Sequence, residues 1–271
     1  MQLPLSPQVF SILSAIVAEH AGIHFGVEHM SVFADKIGGR AVEAGFESLL
    51  DYYYFLRYDP AGPAELDALI ESLVVNETYL FRELSALETM VSDFILPAVN
   101  GGRRPRIWCA ASSTGEEPHT VAMLLAAQGL LEEVELIASD ISVQALERAR
   151  SGRFSRRAVR QKIPAFAERW LDVTERGVSI NPRLTKAIDW RRINLMDDAT
   201  VASLGVFEVV LCRNVLIYFS DATVRRIIDR LSGVLRPNGA LFVGISESLL
   251  RFGSSLICEE KNGVFLYKKP S

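Results

Sequence analysis

The first hundred residues carry apolar positions at helical spacing. Two apolar groups each share one helical face: Val9, Ile12, Leu13 and Ile16, and then Leu49, Leu50, Tyr53 and Leu56. No run in this region alternates apolar and polar residues as a half-buried strand does. Proline and glycine at Ser6-Pro7, Gly45 and 59–63 divide it into four or five short helices. The pattern predicts an all-helical domain over residues 1–97 and a linker at 98–105.

Beyond the linker, strand-like runs alternate with helical ones. The predicted strands are 106–111, 134–139, 207–212 and 240–244, and the predicted helices between them are 116–128, 143–150 and 222–235. This alternation is typical of βα units in a mostly parallel sheet with helices on both faces. The residues from 106 to 271 therefore form a predicted α/β domain.

Two features interrupt the alternation. Near 155–190, short apolar runs flank Glu175-Arg176-Gly177 and predict a small inserted β-hairpin subdomain. At the end of the chain, Asn262-Gly263 separates two apolar runs and predicts a closing antiparallel hairpin.

Composition narrows the class of protein. A chain of 271 residues with 49% hydrophobic residues can bury a full core, and a net charge of −4 gives no general attraction to nucleic acid. The three cysteines lack metal-ligand spacing, so we expect reduced thiols and no metal site. No segment resembles a signal peptide or a membrane span, so we expect a cytoplasmic protein that does not insert into a membrane.

The loop after the first predicted strand carries the most informative chemistry. Its residues 112–115 contain one glycine, and the helix that follows begins with Glu116 and Glu117. Open α/β sheets bind nucleotide cofactors at this position, but two acids at the helix start disfavour a phosphate, and the G-x-G-x-x-G pattern is absent. S-adenosylmethionine fits better, because it has a sulfonium and an amino group and no phosphate. The alternative is that the acids only form a capping box with Ser113 or Thr114.

Polar residues also follow the next two predicted strands. Asp140 ends the second strand, where a carboxylate can accept hydrogen bonds from ribose hydroxyls. A third strand, which lies between the runs 134–139 and 207–212, is predicted to end at Asn194 and Leu195, where amide and backbone groups suit the edge of an adenine. These positions extend the predicted nucleoside site across three strand ends.

Two further segments carry candidate chemistry. Arg213 and Asn214 follow the fourth strand, with Tyr218 close behind. The segment 76–82, Asn-Glu-Thr-Tyr-Leu-Phe-Arg, precedes the last helix before the linker. The alternatives are a helix-start network for the first pair, a half-buried aromatic for Tyr218, and a helix-to-helix connection capped by Thr78 for the second segment.

These segments together resemble the CheR family, the chemotaxis receptor methyltransferases that transfer a methyl group from S-adenosylmethionine to receptor glutamates. The resemblance covers nearly the whole chain and rests on these motifs: 76–82, 113–118, 138–141, 149–152, 194–195, 212–219 and 244–248. It implies a Rossmann-like class I methyltransferase sheet with an N-terminal helical domain. It also implies an enzyme that forms glutamate methyl esters in chemotaxis adaptation and releases S-adenosylhomocysteine.

The resemblance also implies a set of site residues. The implied cofactor contacts are Asn76, Thr78, Arg82, Glu117, Asp140, Asn194, Leu195, Arg213 and Asn214. Arg82 and Tyr218 are the implied catalytic residues of the reaction centre. The chain departs from the family at Ser112, often Cys or Ala there, and at His119, usually Tyr, which puts the pocket's shape in question.

The implied partner is the cytoplasmic helical bundle of a methyl-accepting chemoreceptor. Family members present a basic helix to it, whereas residues 30–45 here contain only Lys36 and Arg40 as cations, against Asp35 and Glu43. We therefore expect weaker or differently charged docking. The insert also looks shorter than in members that bind a receptor's C-terminal peptide, so we expect that this peptide tether is not required.

Two other functions remain open at the level of the sequence. A non-catalytic S-adenosylmethionine-binding regulator would need Asp140 and Glu117 but not Arg82 or Tyr218. A methyltransferase for a small carboxylic acid would have no obvious use for the helical domain. Cofactor binding without methyl transfer would favour the regulator.

Overall fold

The computed structural model describes residues 3–271, whose contacts divide into two units. The first unit comprises the chain up to Val75 together with Tyr218–Ser220, and the second comprises Asn76–Ile217 and Asp221–Ser271. The division falls at Val75, whereas the sequence pattern placed the domain boundary at 97. Residues 76–97 thus belong to the α/β unit.

The first unit is helical. Its α-helices are α1 (Pro7–Ala21), α2 (Met30–Glu43), α3 (Leu49–Tyr58) and α4 (Gly62–Leu73). The Ser6 hydroxyl caps α1 by accepting from the Val9 N–H at 3.3 Å. Within this unit, the backbone N–H of His24 donates to the Tyr218 carbonyl at 2.8 Å, which explains why the short segment from the far end of the chain groups here.

The second unit is built on a seven-stranded sheet. Its strands are β1 (Arg106–Ala110), β2 (Glu135–Asp140), β6 (Ile188–Arg192), β7 (Phe207–Leu211), β8 (Leu235–Phe242), β9 (Ile257–Lys261) and β10 (Val264–Lys268). Their spatial order is β6-β2-β1-β7-β8-β10-β9. The first five in this order are parallel, and β10 is antiparallel to both of its neighbours. The predicted parallel sheet and closing hairpin are confirmed.

Helices flank this sheet along the chain. They are α5 (Leu84–Met90), α6 (Leu96–Asn100), α7 (Glu116–Ala127), α8 (Val143–Ser151), α9 (Pro182–Lys186), α10 (Asp198–Ser203) and α11 (Asp221–Val234). A π-helical stretch, Val91–Ile95, joins α5 to α6. Among residues 3–271, no helix is long and apolar enough to cross a membrane.

The helical stretch from α5 to α6 joins the α/β unit because its apolar face packs on the sheet. Leu87, Met90 and Ile95 are buried in the same core as sheet residues, and the Phe94 ring meets the Phe242 ring edge-on at 5.9 Å. Burying one such side chain stabilises a fold by about 1.5–3 kcal/mol. Helical periodicity predicts the helix but does not specify against which hydrophobic core its apolar face packs.

The predicted insert is present as a small antiparallel sheet. Its strands are β3 (Arg153–Phe154), β4 (Leu171–Thr174) and β5 (Gly177–Ile180), in the order β3-β5-β4. Gly177 has a φ of 151°, and a Cβ there would lie 2.4 Å from the Phe154 carbonyl oxygen. The turn therefore requires glycine, and β3 adds a third strand to the expected hairpin.

Candidate active site

The carboxyl ends of the parallel strands bring the candidate residues together. In the sheet β1 lies between β2 and β7, so the loops after these three strands are neighbours at one edge. Asp140 is the last residue of β2, and Arg213 follows β7 by two residues. The site therefore forms from segments that are far apart in the chain.

Asp140 organises the first half of the site. Its Oδ2 accepts the Ser113 N–H at 2.7 Å and its Oδ1 accepts the Ser142 N–H at 2.9 Å. The Ser113 hydroxyl in turn donates to Asn76 Oδ1 at 3.2 Å, which attaches the 76–82 segment to the loop after β1. The Asp140 carbonyl accepts the Ile193 N–H at 3.0 Å, so Asn194 lies next in the chain to a residue bound to this aspartate.

Arg213 organises the second half. Its side chain is only 1% exposed and donates from Nη1 to Glu117 Oε2 at 2.7 Å. Its Nη2 donates to Glu83 Oε2 at 2.9 Å and to the Arg82 carbonyl at 3.0 Å. Its Nε is buried and has no hydrogen-bond partner among residues 3–271. One buried guanidinium thus lies between two carboxylates and keeps one donor unused.

Glu83 joins the segment after the helical unit to two strand-end loops. Besides Arg213, its carboxylate accepts the Ile245 N–H at 3.2 Å and lies 3.4 Å from Asn214 Nδ2. Sequence reasoning did not assign it to the site. The available signal was its position directly after Arg82, a candidate cofactor contact.

Glu247 is a second carboxylate that sequence reasoning left without a role. Its Oε2 accepts the N–H groups of Asn214 at 2.6 Å and Gly244 at 2.7 Å, and its Oε1 accepts that of Leu216 at 2.8 Å. It therefore fixes the loops after β7 and β8 to each other. Its membership of the 244–248 motif was the only sequence signal.

The two carboxylates beside Arg213 differ in their protonation equilibria. Burial raises the pKa of Glu117, and the Arg213 charge offsets this only in part. Burial also acts on Glu83, but the charge and hydrogen bond of Arg213 outweigh it, so the Glu83 pKa is lowered. Arg82 Nε also lies 3.9 Å from Glu83 Oε1, so the cluster holds two arginines and two carboxylates. Because burial still raises the Glu117 pKa, a further cation would stabilise the ionised form of Glu117.

Backbone strain concentrates in the same loops. Among residues 3–271, seven non-glycine residues have positive φ, and five of them lie in these loops: Phe81, Glu83, Ala111, Ser113 and Asn214. Such conformations cost on the order of 1–3 kcal/mol each and cluster at functional sites, where the surrounding structure holds them in place. The strain marks the loops that carry the predicted cofactor contacts.

Arg82 lies at the outer part of this arrangement. Its side chain is 30% exposed, and its guanidinium lies 5.5 Å from the centroid of the Tyr79 ring. Its Nη1 lies 3.5 Å from the Glu77 carbonyl, and Thr78 between these residues is half-buried. The guanidinium is thus partly accessible, as a group that receives a substrate carboxylate must be.

The remaining candidates are held by local contacts. Asn194 Oδ1 accepts the Met196 N–H at 2.9 Å, and the carbonyl of the buried Leu195 accepts Arg230 Nη1 at 2.7 Å. Tyr218 ends a 3₁₀ turn, Leu216–Tyr218, and groups by its contacts with the helical unit. The structure thus connects the loops of the α/β unit, while Tyr218 belongs to the other unit.

The capping-box alternative for the acids of α7 is wrong. The N-cap of α7 is Gly115 with a φ of 93°, and no side chain caps the helix. Thr114 instead donates to Glu116 Oε2 at 2.7 Å, while Glu117 binds Arg213. A Cβ on Gly115 would lie 2.6 Å from the Ala149 Cβ, so glycine permits the loop to pack against α8.

His119 is buried one turn into α7. Its Nδ1 lies 2.7 Å from the Gly115 carbonyl, and its Nε2 lies 3.1 Å from the Thr185 hydroxyl. Burial lowers its pKa to about 4. The imidazole is therefore neutral, and its contact with the Gly115 carbonyl supports the glycine turn.

The donor set suits S-adenosylmethionine. Glu117, which binds Arg213 and whose pKa is raised by burial, favours a ligand that carries positive charge. Asp140 at the end of β2 adds a carboxylate in the position that binds ribose hydroxyls in open α/β sheets. A sulfonium nucleoside with an amino group meets both requirements, and it needs no phosphate site.

Comparison with known protein families decides the identity. Residues 76–262 match the family described as CheR methyltransferase, SAM binding domain, and residues 8–74 match the one described as CheR methyltransferase, all-alpha domain. This chain belongs to the CheR methyltransferase family. The predicted family, the Rossmann-like fold with its helical N-terminal domain, and the cofactor are confirmed, and the CheR-family chain is an S-adenosylmethionine-dependent methyltransferase.

Several curated relatives match most of this CheR-family chain. Chemotaxis protein methyltransferase 2 of Vibrio cholerae is 36% identical over 77% of this chain and 74% of its own. Chemotaxis protein methyltransferase 1 of Pseudomonas aeruginosa is 31% identical over 89% and 90%. The chemotaxis protein methyltransferase of Vibrio parahaemolyticus is 31% identical over 98% of both chains. The similarity therefore extends over both units.

Proposed function

We propose that this CheR-family chain methylates glutamate side chains in the cytoplasmic helical bundle of chemoreceptors, in the cytoplasm, during chemotaxis adaptation. The names of its relatives support the substrate class. The observation that carries the proposal is the buried Arg213 between Glu83 and Glu117, because burial raises the Glu117 pKa and a sulfonium cofactor would stabilise the ionised carboxylate.

The proposal divides the cofactor among the strand-end loops. Asp140 accepts hydrogen bonds from the ribose hydroxyls, and Asn194 and Leu195 contact the adenine. Glu117 attracts the amino group, and Arg213 keeps Glu117 ionised and in position. The remaining proposed contacts lie in the segment before the sheet and after β7: Asn76, Thr78, Arg82 and Asn214.

Positioning is the main catalytic task of this chain. A free glutamate has a pKa near 4.3, so the attacking carboxylate is already ionised at neutral pH and needs no general base. The bound cofactor supplies an electrophilic methyl group on a sulfonium. Arg82 orients the substrate carboxylate through its partly exposed guanidinium. Tyr218 is the second proposed catalytic residue. Holding the reacting atoms in line at about 3–3.5 Å supplies several kcal/mol.

The experiment that tests this function follows labelled methyl groups. The chain, labelled S-adenosylmethionine and receptor-bearing membranes of the same organism are incubated, and methanol released by alkali is counted. We expect alkali-labile label with the wild type and with Arg225→Ala, which changes an exposed arginine of α11. We expect almost none with Arg82→Ala. No label with the wild type, in membranes whose receptors have free glutamates, would contradict the proposed substrate.

A conservative change tests the proposed role of Arg82. Arg82→Lys keeps the charge but loses the planar fork that binds a carboxylate through two parallel hydrogen bonds. We expect kcat/KM to fall by about 10–100-fold with little change in the Kd for S-adenosylhomocysteine. Unchanged kcat/KM would exclude Arg82 as the residue that orients the substrate.

The proposal includes independence from a receptor peptide tether. Short insert strands β4 and β5, each of four residues, support it. We expect no saturable binding of a receptor C-terminal peptide in a calorimetric titration. Tight binding of that peptide would refute this part of the proposal and leave the methyl-transfer reaction untouched.

A further inference from the structure

The sequence from Arg153 to Lys162, named here the basic segment, concentrates positive charge. It contains four arginines and one lysine and no acidic residue, although the whole chain has a net charge of −4. All five cationic residues are exposed. Such a cluster on an acidic protein is a local feature that the overall charge does not explain.

Most of this charge is not neutralised within the protein. Arg160 pairs with Glu77 at 3.0 Å, and Arg156 donates to the Thr174 carbonyl at 3.0 Å. Within residues 3–271, no carboxylate lies within ion-pair distance of Arg153, Arg157 or Lys162. These three residues are exposed to solvent.

The basic segment is attached directly to the segment that carries Arg82. The Ala158 carbonyl accepts the Leu80 N–H at 2.8 Å, and Gln161 Nε2 donates to the Phe81 carbonyl at 2.9 Å. The Arg160 guanidinium lies 4.5 Å from the centroid of the Tyr79 ring, which also contacts Arg82. The positive surface therefore borders the proposed reaction centre.

The two cations of α2, unlike those of the basic segment, are bound by groups within the helical unit. Arg40 donates from Nε to Glu65 Oε1 at 2.7 Å, and Lys36 Nζ donates to the Leu73 carbonyl at 3.2 Å. Both side chains are thus engaged within the helical unit. In the basic segment, by contrast, Arg153, Arg157 and Lys162 form no ion pair with any residue that the structure describes.

We propose that the basic segment is a docking surface for an acidic helical protein segment, namely the glutamate-bearing face of the substrate; this rests on the proposed function. A substrate that presents several glutamates meets the unneutralised charge of Arg153, Arg157 and Lys162 as it delivers one carboxylate to Arg82. Each esterification removes one negative charge from the substrate. The surface therefore binds unmethylated substrate more tightly than methylated substrate.

A charge-neutralising pair of substitutions tests the docking surface. The double variant Arg157→Gln/Lys162→Gln removes two cations that make no ion pair in the fold. The control Arg104→Gln/Arg225→Gln removes two exposed cations elsewhere in the α/β unit. Binding of each full-length protein to a soluble cytoplasmic receptor fragment is measured by calorimetry at low and high salt, with the Kd for S-adenosylhomocysteine as a check on the cofactor site.

We expect the basic-segment variant to bind the fragment about 3–10-fold more weakly than wild type at low salt, with the difference shrinking at high salt because exposed charges are screened. The control and the Kd for S-adenosylhomocysteine stay unchanged. A fragment with its methylation-site glutamates changed to glutamine binds wild type more weakly.

Three results would overturn this proposal. They are unchanged fragment binding by the basic-segment variant, an equal loss in the control, or, when the same proteins are titrated with vesicles rich in phosphatidylglycerol, a loss confined to those vesicles, which would assign the surface to lipid. Binding to the fragment that depends on the basic segment without methyl transfer would instead contradict the proposed function and support the docking surface.

Discussion

Each unit contains an arginine held by buried or half-buried carboxylates, and the two groups differ in the pKa shifts of those carboxylates. In the helical unit, Arg40 pairs with Glu65, whose Oε1 also accepts the Tyr52 hydroxyl at 2.7 Å. In the α/β unit, Arg213 faces both Glu83 and Glu117 and keeps a buried Nε without a partner. Each group includes one more charged residue, since Arg40 Nη1 lies 3.6 Å from Glu43 Oε2 and Arg82 Nε lies 3.9 Å from Glu83 Oε1. The two arginines differ in burial: the side chain of Arg40 is 27% exposed and that of Arg213 is 1% exposed.

The pKa values of Glu65 and Glu117 are shifted in opposite directions. Burial of Glu65 is outweighed by hydrogen bonds from Arg40 and Tyr52, so its pKa is lowered. Burial of Glu117 is not outweighed, so its pKa is raised. A carboxylate with a lowered pKa, such as Glu65, suits a structural role, and one with a raised pKa, such as Glu117, suits a cationic ligand. Four changes test this contrast.

The largest effect is expected from Arg213→Met. It leaves Glu83 and Glu117 without their shared cation, and breaking a buried pair from one side costs about 3–5 kcal/mol. Urea denaturation should show a loss of free energy of unfolding in this range. Arg213→Lys keeps the charge and should lose less. A loss below about 1 kcal/mol for the methionine variant would show that the carboxylates are not held by this arginine.

The next effect concerns His119 and pH. Its folded pKa of about 4 lies below the ordinary value of 6.5, so the unfolded chain binds the proton more tightly between these values. Stability is therefore full above pH 6.5 and falls by about 3 kcal/mol as pH decreases toward 4. His119→Gln should flatten this part of the stability-pH curve. An unchanged slope in the variant would contradict the neutral buried imidazole.

The third effect separates cofactor affinity from stability. Glu117→Gln removes the carboxylate whose pKa is raised by burial, so we expect the Kd for S-adenosylmethionine to rise about 10–100-fold, or about 1.4–2.8 kcal/mol. Because the folded pKa of Glu117 is raised, its contribution to stability is full below about 4.5 and is lost as pH rises through the folded value.

The stability of the cofactor-free protein gives the control for this variant. At neutral pH the glutamine variant should be as stable as wild type or slightly more so, since it cannot acquire the buried charge. A stability loss with unchanged cofactor affinity would make Glu117 structural.

The smallest effect is expected from Glu65→Gln, which changes the carboxylate that binds Arg40 and Tyr52. Losing one charge-assisted hydrogen bond should cost about 1–2 kcal/mol at pH 7. The folded pKa of Glu65 is lowered, so its contribution is present above about 4.5 and is lost as pH falls through the folded value. The difference between variant and wild type should therefore vanish at low pH, with the Kd for S-adenosylmethionine unchanged at every pH. A weakened cofactor affinity would break the contrast between the two groups.

The sequence alone determined the fold class and the neighbourhood of the site. Alternating strand and helix patterns predicted the parallel sheet, and the position of Asp140 at a strand end predicted its place at the carboxyl edge, because these signals are local. The acids after Gly115 indicated a cationic cofactor before any contact was known. The resemblance of ordered motifs then implied the family.

Only the tertiary structure decided which residues meet. Arg213 binds Glu117 across 96 positions of sequence and Glu83 across 130, and no local pattern encodes such separations. The same reason applies to the boundary at Val75, which depends on Phe94 and its neighbours packing on the sheet. Local periodicity specifies an apolar face, but only the folded chain supplies the surface that covers it.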